Sequence, residues 1–198
     1  MTQWDFILNG ATYSEMTDTM KVAKRPVYLG AGGKLSNFQS NEYGRAPSPS
    51  DVNPNEMQFA INLERELYDS LLSPGVQTGR VGTDVVLLIT RDTFMYSDAP
   101  EISDSGARIL RRVADVLKKY NTTWVEITGY TDAMRDKAAA AALSLDMAKR
   151  VAVFFVGEKI SPTRLFINGR GAARPIAAQD DNGRRMNRRI EIRISPVK

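Results

Sequence analysis

The chain predicts an α+β fold, a mixed β-sheet with helices packed on one face, preceded by an irregular N-terminal arm. Three features carry the prediction. Strand-like and helix-like stretches alternate from residue 76 onward and, after the first strand of a hairpin, run β-α-β-α-β-β. In the last strand Ile190, Ile192 and Ile194 alternate strictly with Arg189, Glu191 and Arg193, so one face is apolar and the other a charged ladder. Upstream, 15 of the 27 residues from Gly30 to Glu56 are Gly, Ser, Asn or Pro, with neither helical nor strand periodicity.

Each element has a local reason. Residues 1–56 read as an arm or linker with scattered aromatics (Trp4, Phe6, Tyr13, Tyr28), and residues 57–198 as the folded domain. Order starts at Asn53-Pro54, an N-cap followed by Pro at the first helical position. Phe59, Leu63, Leu67 and Leu71 recur every four residues and mark a helix to about Leu72, which Ser73-Pro74-Gly75 ends. A hairpin follows, Val76 to Val81 and Asp84 to Thr90 around Gly82-Thr83. A helix from about Ser103 presents Ala107, Leu110, Val113, Ala114 and Leu117, and Thr123 to Gly129 alternates as a strand. Asp136 to Phe155 is an alanine-rich helix, and strands at Arg164 to Asn168 and Arg188 to Ile194 complete the set. Parallel pairing through the two helical crossovers is expected to be right-handed.

Composition narrows the chemistry. The 198 residues include no cysteine and no histidine, which excludes disulfides, thiol nucleophiles, thiolate metal sites and imidazole bases. No paired carboxylates or nucleophile with a base can be assembled, so no enzyme and no cofactor or metal is expected. The net charge of +4 is uneven. Nine basic against three acidic residues from Arg164 to Lys198 give that end +6. Such a cluster could neutralise phosphates, but it lacks interleaved aromatics, so no nucleic-acid partner is expected.

The longest apolar runs, Ala138 to Leu143 and Val151 to Val156, fall far short of the roughly 20 residues that span a bilayer, so no transmembrane span is expected. Met1 to Met20 carries Asp5, Glu15 and Asp18 and lacks a signal-peptide core. Either the protein works in the cytoplasm or the chain begins after a removed targeting segment.

Weaker signals are dismissed. Asp180-Asp181-Asn182-Gly183 lacks the spaced ligands of a calcium loop and reads as a polar turn. Gly30-Ala31-Gly32-Gly33 precedes no helix, so it is no dinucleotide fingerprint.

Gly129-Tyr130-Thr131-Asp132 after a strand, Leu143-Ser144 with Ala148 and Val151 in the next helix, Ile160-Ser161-Pro162-Thr163-Arg164, Gly169-Arg170-Gly171 with Pro175, and Asn187-Arg188-Arg189-Ile190-Glu191 stand in a fixed order. Together they resemble the OmpA C-terminal-like (OmpA/MotB/Pal) peptidoglycan-binding domain family over about Asn62 to Pro196. The resemblance implies non-catalytic binding of the peptidoglycan peptide stem, chiefly its diaminopimelate, which presents an ammonium beside a carboxylate. In the family an Asp takes the ammonium and an Arg of the following helix takes the carboxylate.

Asp132 matches the acid and Thr131 stands beside it, while Tyr130 replaces the family His. The helix Arg is replaced by Met147 and an upstream Asn by Ala140. Losing one hydrogen bond to a charged group, roughly 1.5 to 3 kcal/mol, weakens binding by about 10-fold to 150-fold. Arg150, three residues on and about 60° round the helix, is a candidate to fill the vacated place. Of Arg188 and Arg189, one is expected to pair structurally with a carboxylate and the other, Arg188 among the candidate ligands, to line the groove.

The resemblance implies a periplasmic place at the outer membrane, with peptidoglycan as partner. It also leaves a second role: a structural subunit of an envelope-spanning machine, similar to the OmpA-like lipoproteins of type IVB (Dot/Icm) secretion core complexes, docking on other subunits through the arm.

Overall fold

The computed structural model describes residues 54–96, 101–134 and 136–197. The arm through residue 53, with its aromatics and Gly30 to Gly33, lies outside the described residues.

The first helix, α1 (Pro54–Ser70), buries Leu63, Leu67 and, just past its end, Leu71. The hairpin pairs β1 (Val76–Val81) with β2 (Asp84–Thr90) antiparallel, Val81 opposite Asp84. A four-residue helix, α2 (Arg91–Phe94), follows and inserts Phe94 into the core. The third helix, α3 (Asp104–Lys119), is capped by Ser103, whose hydroxyl accepts the Gly106 N–H at 3.1 Å. It buries Leu110, Val113, Ala114 and Leu117 as expected, with Ile109 and Val116 added and Ala107 only half-buried.

After β3 (Thr123–Tyr130), Asp136 caps α4 (Lys137–Gly157) by accepting from the N–H groups of Ala138 and Ala139. The chain then runs through a 3-10 turn into β4 (Leu165–Gly169), a short helix α5 (Asp181–Asn187) and β5 (Arg189–Pro196). The Asp180 segment expected as a polar turn is therefore the start of α5, where Asp180 accepts the Gly183 N–H at 2.7 Å.

The sheet order is β1-β2-β5-β3-β4. Only the crossover through α4 joins hydrogen-bonded parallel neighbours, β3 and β4. The crossover through α3 does not, because β5 lies between β2 and β3, antiparallel to both. The central position suits β5, whose Ile190, Ile192 and Ile194 are fully buried in one core with Val85, Leu87, Ile89, Val125, Ile127 and the inner faces of α1, α3 and α4.

Arg164 closes the far end of this core. Its guanidinium donates to the carbonyls of Leu117, Tyr120 and Thr123 at 2.9 to 3.1 Å, satisfying the end of α3. Burial pulls its pKa below the ordinary arginine value.

Candidate functional site

The sheet register builds the site. Arg189, the first residue of β5, pairs with Thr90 of β2 on one side and with Tyr130 of β3 on the other. Two residues beyond each of these stands an aspartate, Asp92 and Asp132. Arg188, one residue before the strand, therefore emerges between two carboxylates. Its Nη1 lies 3.1 Å from Asp132 Oδ2 and its Nη2 3.9 Å from Asp92 Oδ2, which is also 3.9 Å from Arg185 Nε.

The backbone of Arg188 is pinned twice, its N–H donating to Arg184 at 3.1 Å and its carbonyl accepting from Arg91 at 2.8 Å. The side chains of Arg188 and Asp132 remain 30% and 20% exposed, so a ligand can reach both.

Thr131 is held by its N–H to the Gly171 carbonyl at 2.8 Å. Its hydroxyl is buried and has no hydrogen-bond partner among the described residues. An orphaned buried hydroxyl beside a half-exposed carboxylate is what a ligand-ready site presents. Gly171, at φ +54°, also donates its N–H to Ser144 Oγ at 2.8 Å, tying the β4 loop and β3 end to α4.

Tyr130 is buried under Arg189, whose guanidinium carbon lies 3.9 Å from the ring centre. Burial pushes its phenol far above the usual tyrosine range. Arg189 is itself fully buried; it pairs with Glu191 at 2.7 Å and donates to the carbonyls of Asn187 and Arg174. Arg189 thus takes the structural pairing of the two strand-opening arginines, and Arg188 faces Asp132. Desolvation raises the pKa of Glu191 against the opposing pull of Arg189.

The structure does not bring Arg150 to this group. Ser144 backs onto Gly129, and α4 runs back along the sheet from there, so Arg150 lies six residues, about 9 Å, farther from the site edge. Its Nε donates to Asp146 at 2.8 Å, one turn back on the helix. Met147 is 2% exposed and belongs to the core. Periodicity cannot tell which end of the sheet a helix residue faces, which is why Arg150 reads as a candidate in the sequence.

Asp92 was missed. Its signal is its place two residues past a strand that pairs with Arg189, readable only once the register is known. Asn187, 1% exposed, stands in the motif but has no role legible in the sequence. It accepts from the N–H groups of Ile176 and Ala177 and donates to the Ala177 carbonyl, fixing the loop beside the site.

Several arginines of the basic C-terminal end are engaged within the domain, while Arg170 and Arg185 are exposed. Arg184 pairs with Asp181, Arg193 with Asp84 at 3.2 Å, and Arg164, Arg188 and Arg189 are engaged as described. Among the described residues no group of three or more acidic side chains could hold a metal ion, and no helix is long and apolar enough to cross a membrane.

A family model described as the OmpA family matches residues 94–189. Residues 94–189 are thus similar to the OmpA family. The match runs from Phe94, the last residue of α2, to Arg189 and so contains Asp132 and Arg188, while Asp92 lies two residues before it. Over 135 residues the chain is 33% identical to probable lipoprotein YiaD of Escherichia coli, covering 68% of this chain and 62% of that protein. It is 34% identical over 100 residues to peptidoglycan-binding protein ArfA of Mycobacterium tuberculosis, 50% of this chain and 31% of that one. The chain therefore spans less than two thirds of either relative. The structure of the cell wall anchor of the T6SS from Pseudomonas aeruginosa superposes with a TM-score of 0.59 at 27% identity, covering 68% of this chain and 96% of that one.

Proposed function

We propose that this OmpA-like domain binds the peptide stem of peptidoglycan, chiefly its diaminopimelate residue, and anchors an outer-membrane-associated protein or complex to the cell wall on the periplasmic side. No bond is made or broken in this role. The observation that carries the reading is Asp132, a half-exposed carboxylate beside the unpartnered Thr131 hydroxyl, at the motif position where the family holds an ammonium. The similarity to peptidoglycan-binding protein ArfA and to the cell wall anchor of the T6SS supports it.

The test is co-sedimentation of the full chain with purified sacculi that contain diaminopimelate. The chain is expected in the pellet, with Asp132→Ala weakening its retention roughly 10-fold or more, as loss of a charge-assisted contact requires. Equal retention of the two would reject the reading.

A second reading, a structural subunit of an envelope-spanning assembly, has one observation in its favour. Tyr68 and Leu72 are 54% and 71% exposed beside a groove of about 460 Å³ between the end of α1 and edge strand β1. Loss of co-purifying envelope proteins on Leu72→Asp, with sacculus binding absent in the unaltered chain, would favour it.

A further inference from the structure

We infer that Arg188 supplies the carboxylate-binding half of the ligand clamp, the role left vacant by Met147, and that the Asp132–Arg188 ion pair is the resting state of that clamp. The inference rests on the cell-wall reading above.

Helix α4 cannot supply the cation from position 147, where a methionine is packed in the core, and its Arg150 donates to Asp146 one turn back on the helix at 2.8 Å. Arg188 has the right geometry from a different element. It touches Asp132 through Nη1 at 3.1 Å, while Nη2 reaches only to 3.9 Å from Asp92, so neither carboxylate engages both arms of the guanidinium. That fork matches a carboxylate bidentately.

A zwitterionic centre carries an ammonium and a carboxylate on one carbon, a few ångströms apart. Its ammonium can replace Arg188 on Asp132 while its carboxylate replaces Asp132 on Arg188, one internal ion pair exchanging for two with the ligand and no net charge left over. Asp92 holds Arg188 in place as the exchange occurs, and the doubly pinned Arg188 backbone fixes where its side chain starts. A stem with lysine in place of diaminopimelate brings only the ammonium. It takes Asp132 and leaves Arg188 without its 3.1 Å partner.

The experiment compares the full chain, Arg188→Ala and Arg188→Lys on sacculi of diaminopimelate type and of lysine type. The unaltered chain is expected to prefer the diaminopimelate wall by roughly 10-fold or more. Arg188→Ala is expected to erase that preference by weakening the diaminopimelate arm alone, with Arg188→Lys in between because it keeps the charge and loses the fork. The lysine wall reports folding: an equal fall on both walls means that Arg188 is structural and overturns the inference. Unchanged or tighter binding of Arg188→Ala to the diaminopimelate wall also overturns it, since Arg188 would then only mask Asp132. Failure of the unaltered chain on both walls removes the cell-wall reading and this inference with it.

Discussion

The Arg189 guanidinium stacks 3.9 Å from the centre of the Tyr130 ring, and both side chains are buried on the face of the sheet that carries the charged ladder. Arg189 also holds Glu191 at 2.7 Å, so a charged pair is sealed directly beneath the site. Arg189→Ala would strand the Glu191 carboxylate, and breaking a buried pair from one side costs about 3 to 5 kcal/mol. Urea unfolding should show that loss, while Arg189→Met combined with Glu191→Leu should recover most of it. A single variant within about 1 kcal/mol of the unaltered chain would mean the pair is not the anchor of β5.

Tyr130 gives the same region a pH signature. Burial raises its phenol above the ordinary value of 10.0. A raised folded-state pKa means the folded chain keeps a proton that the unfolded chain releases, so stability present below pH 10 is lost as pH climbs above it. From pH 10 to 11 that loss amounts to about 1 kcal/mol. Tyr130→Phe keeps the ring on Arg189 and should lose that much less over the same interval in urea titrations; parallel curves would show the phenol is not sequestered.

Gly129 is fixed by packing. A Cβ there would sit 1.9 Å from the Ser144 carbonyl oxygen of α4. Neither backbone can retreat without opening the Ser144–Gly171 contact, so Gly129→Ala should cost about 3 kcal/mol, the upper end of what overpacking typically costs. A melting temperature within a few degrees of the unaltered chain would contradict this.

Met147 separates packing from binding. Its side chain is in the core, so Met147→Ala should cost about 2 to 5 kcal/mol. Below its lowered melting point the variant should keep its sacculus affinity. A folded Met147→Ala chain that no longer binds would place the methionine in the ligand site.

What could be read from the residues follows the range of the interactions involved. The stripe of Leu63, Leu67 and Leu71 and the alternation of Ile190, Ile192 and Ile194 are local periods, and the structure buries all six residues. The short α2 and α5 carry too few turns to show a period. The insertion of β5 between β2 and β3 is a non-local choice that no local signal marks. The site divides the same way. Asp132, Thr131 and Tyr130 are contiguous and legible as a motif. Arg188 is legible as a candidate, but its contact with Asp132 depends on Arg189 pairing with two strands at once, as does the role of Asp92. Arg150 reads as a neighbour of the vacated position by helical angle, whereas the direction of α4 along the sheet carries it about 9 Å farther from the site edge.

The central claim, that this edge of the sheet holds a peptidoglycan stem, is tested most directly by titrating the isotope-labelled full chain with a soluble muropeptide containing diaminopimelate while following backbone amide resonances. The account predicts saturable shifts centred on Tyr130, Thr131, Asp132, Gly171 and Arg188, abolished by Asp132→Ala. Shifts centred on the Tyr68 and Leu72 groove, or none at all, would contradict it.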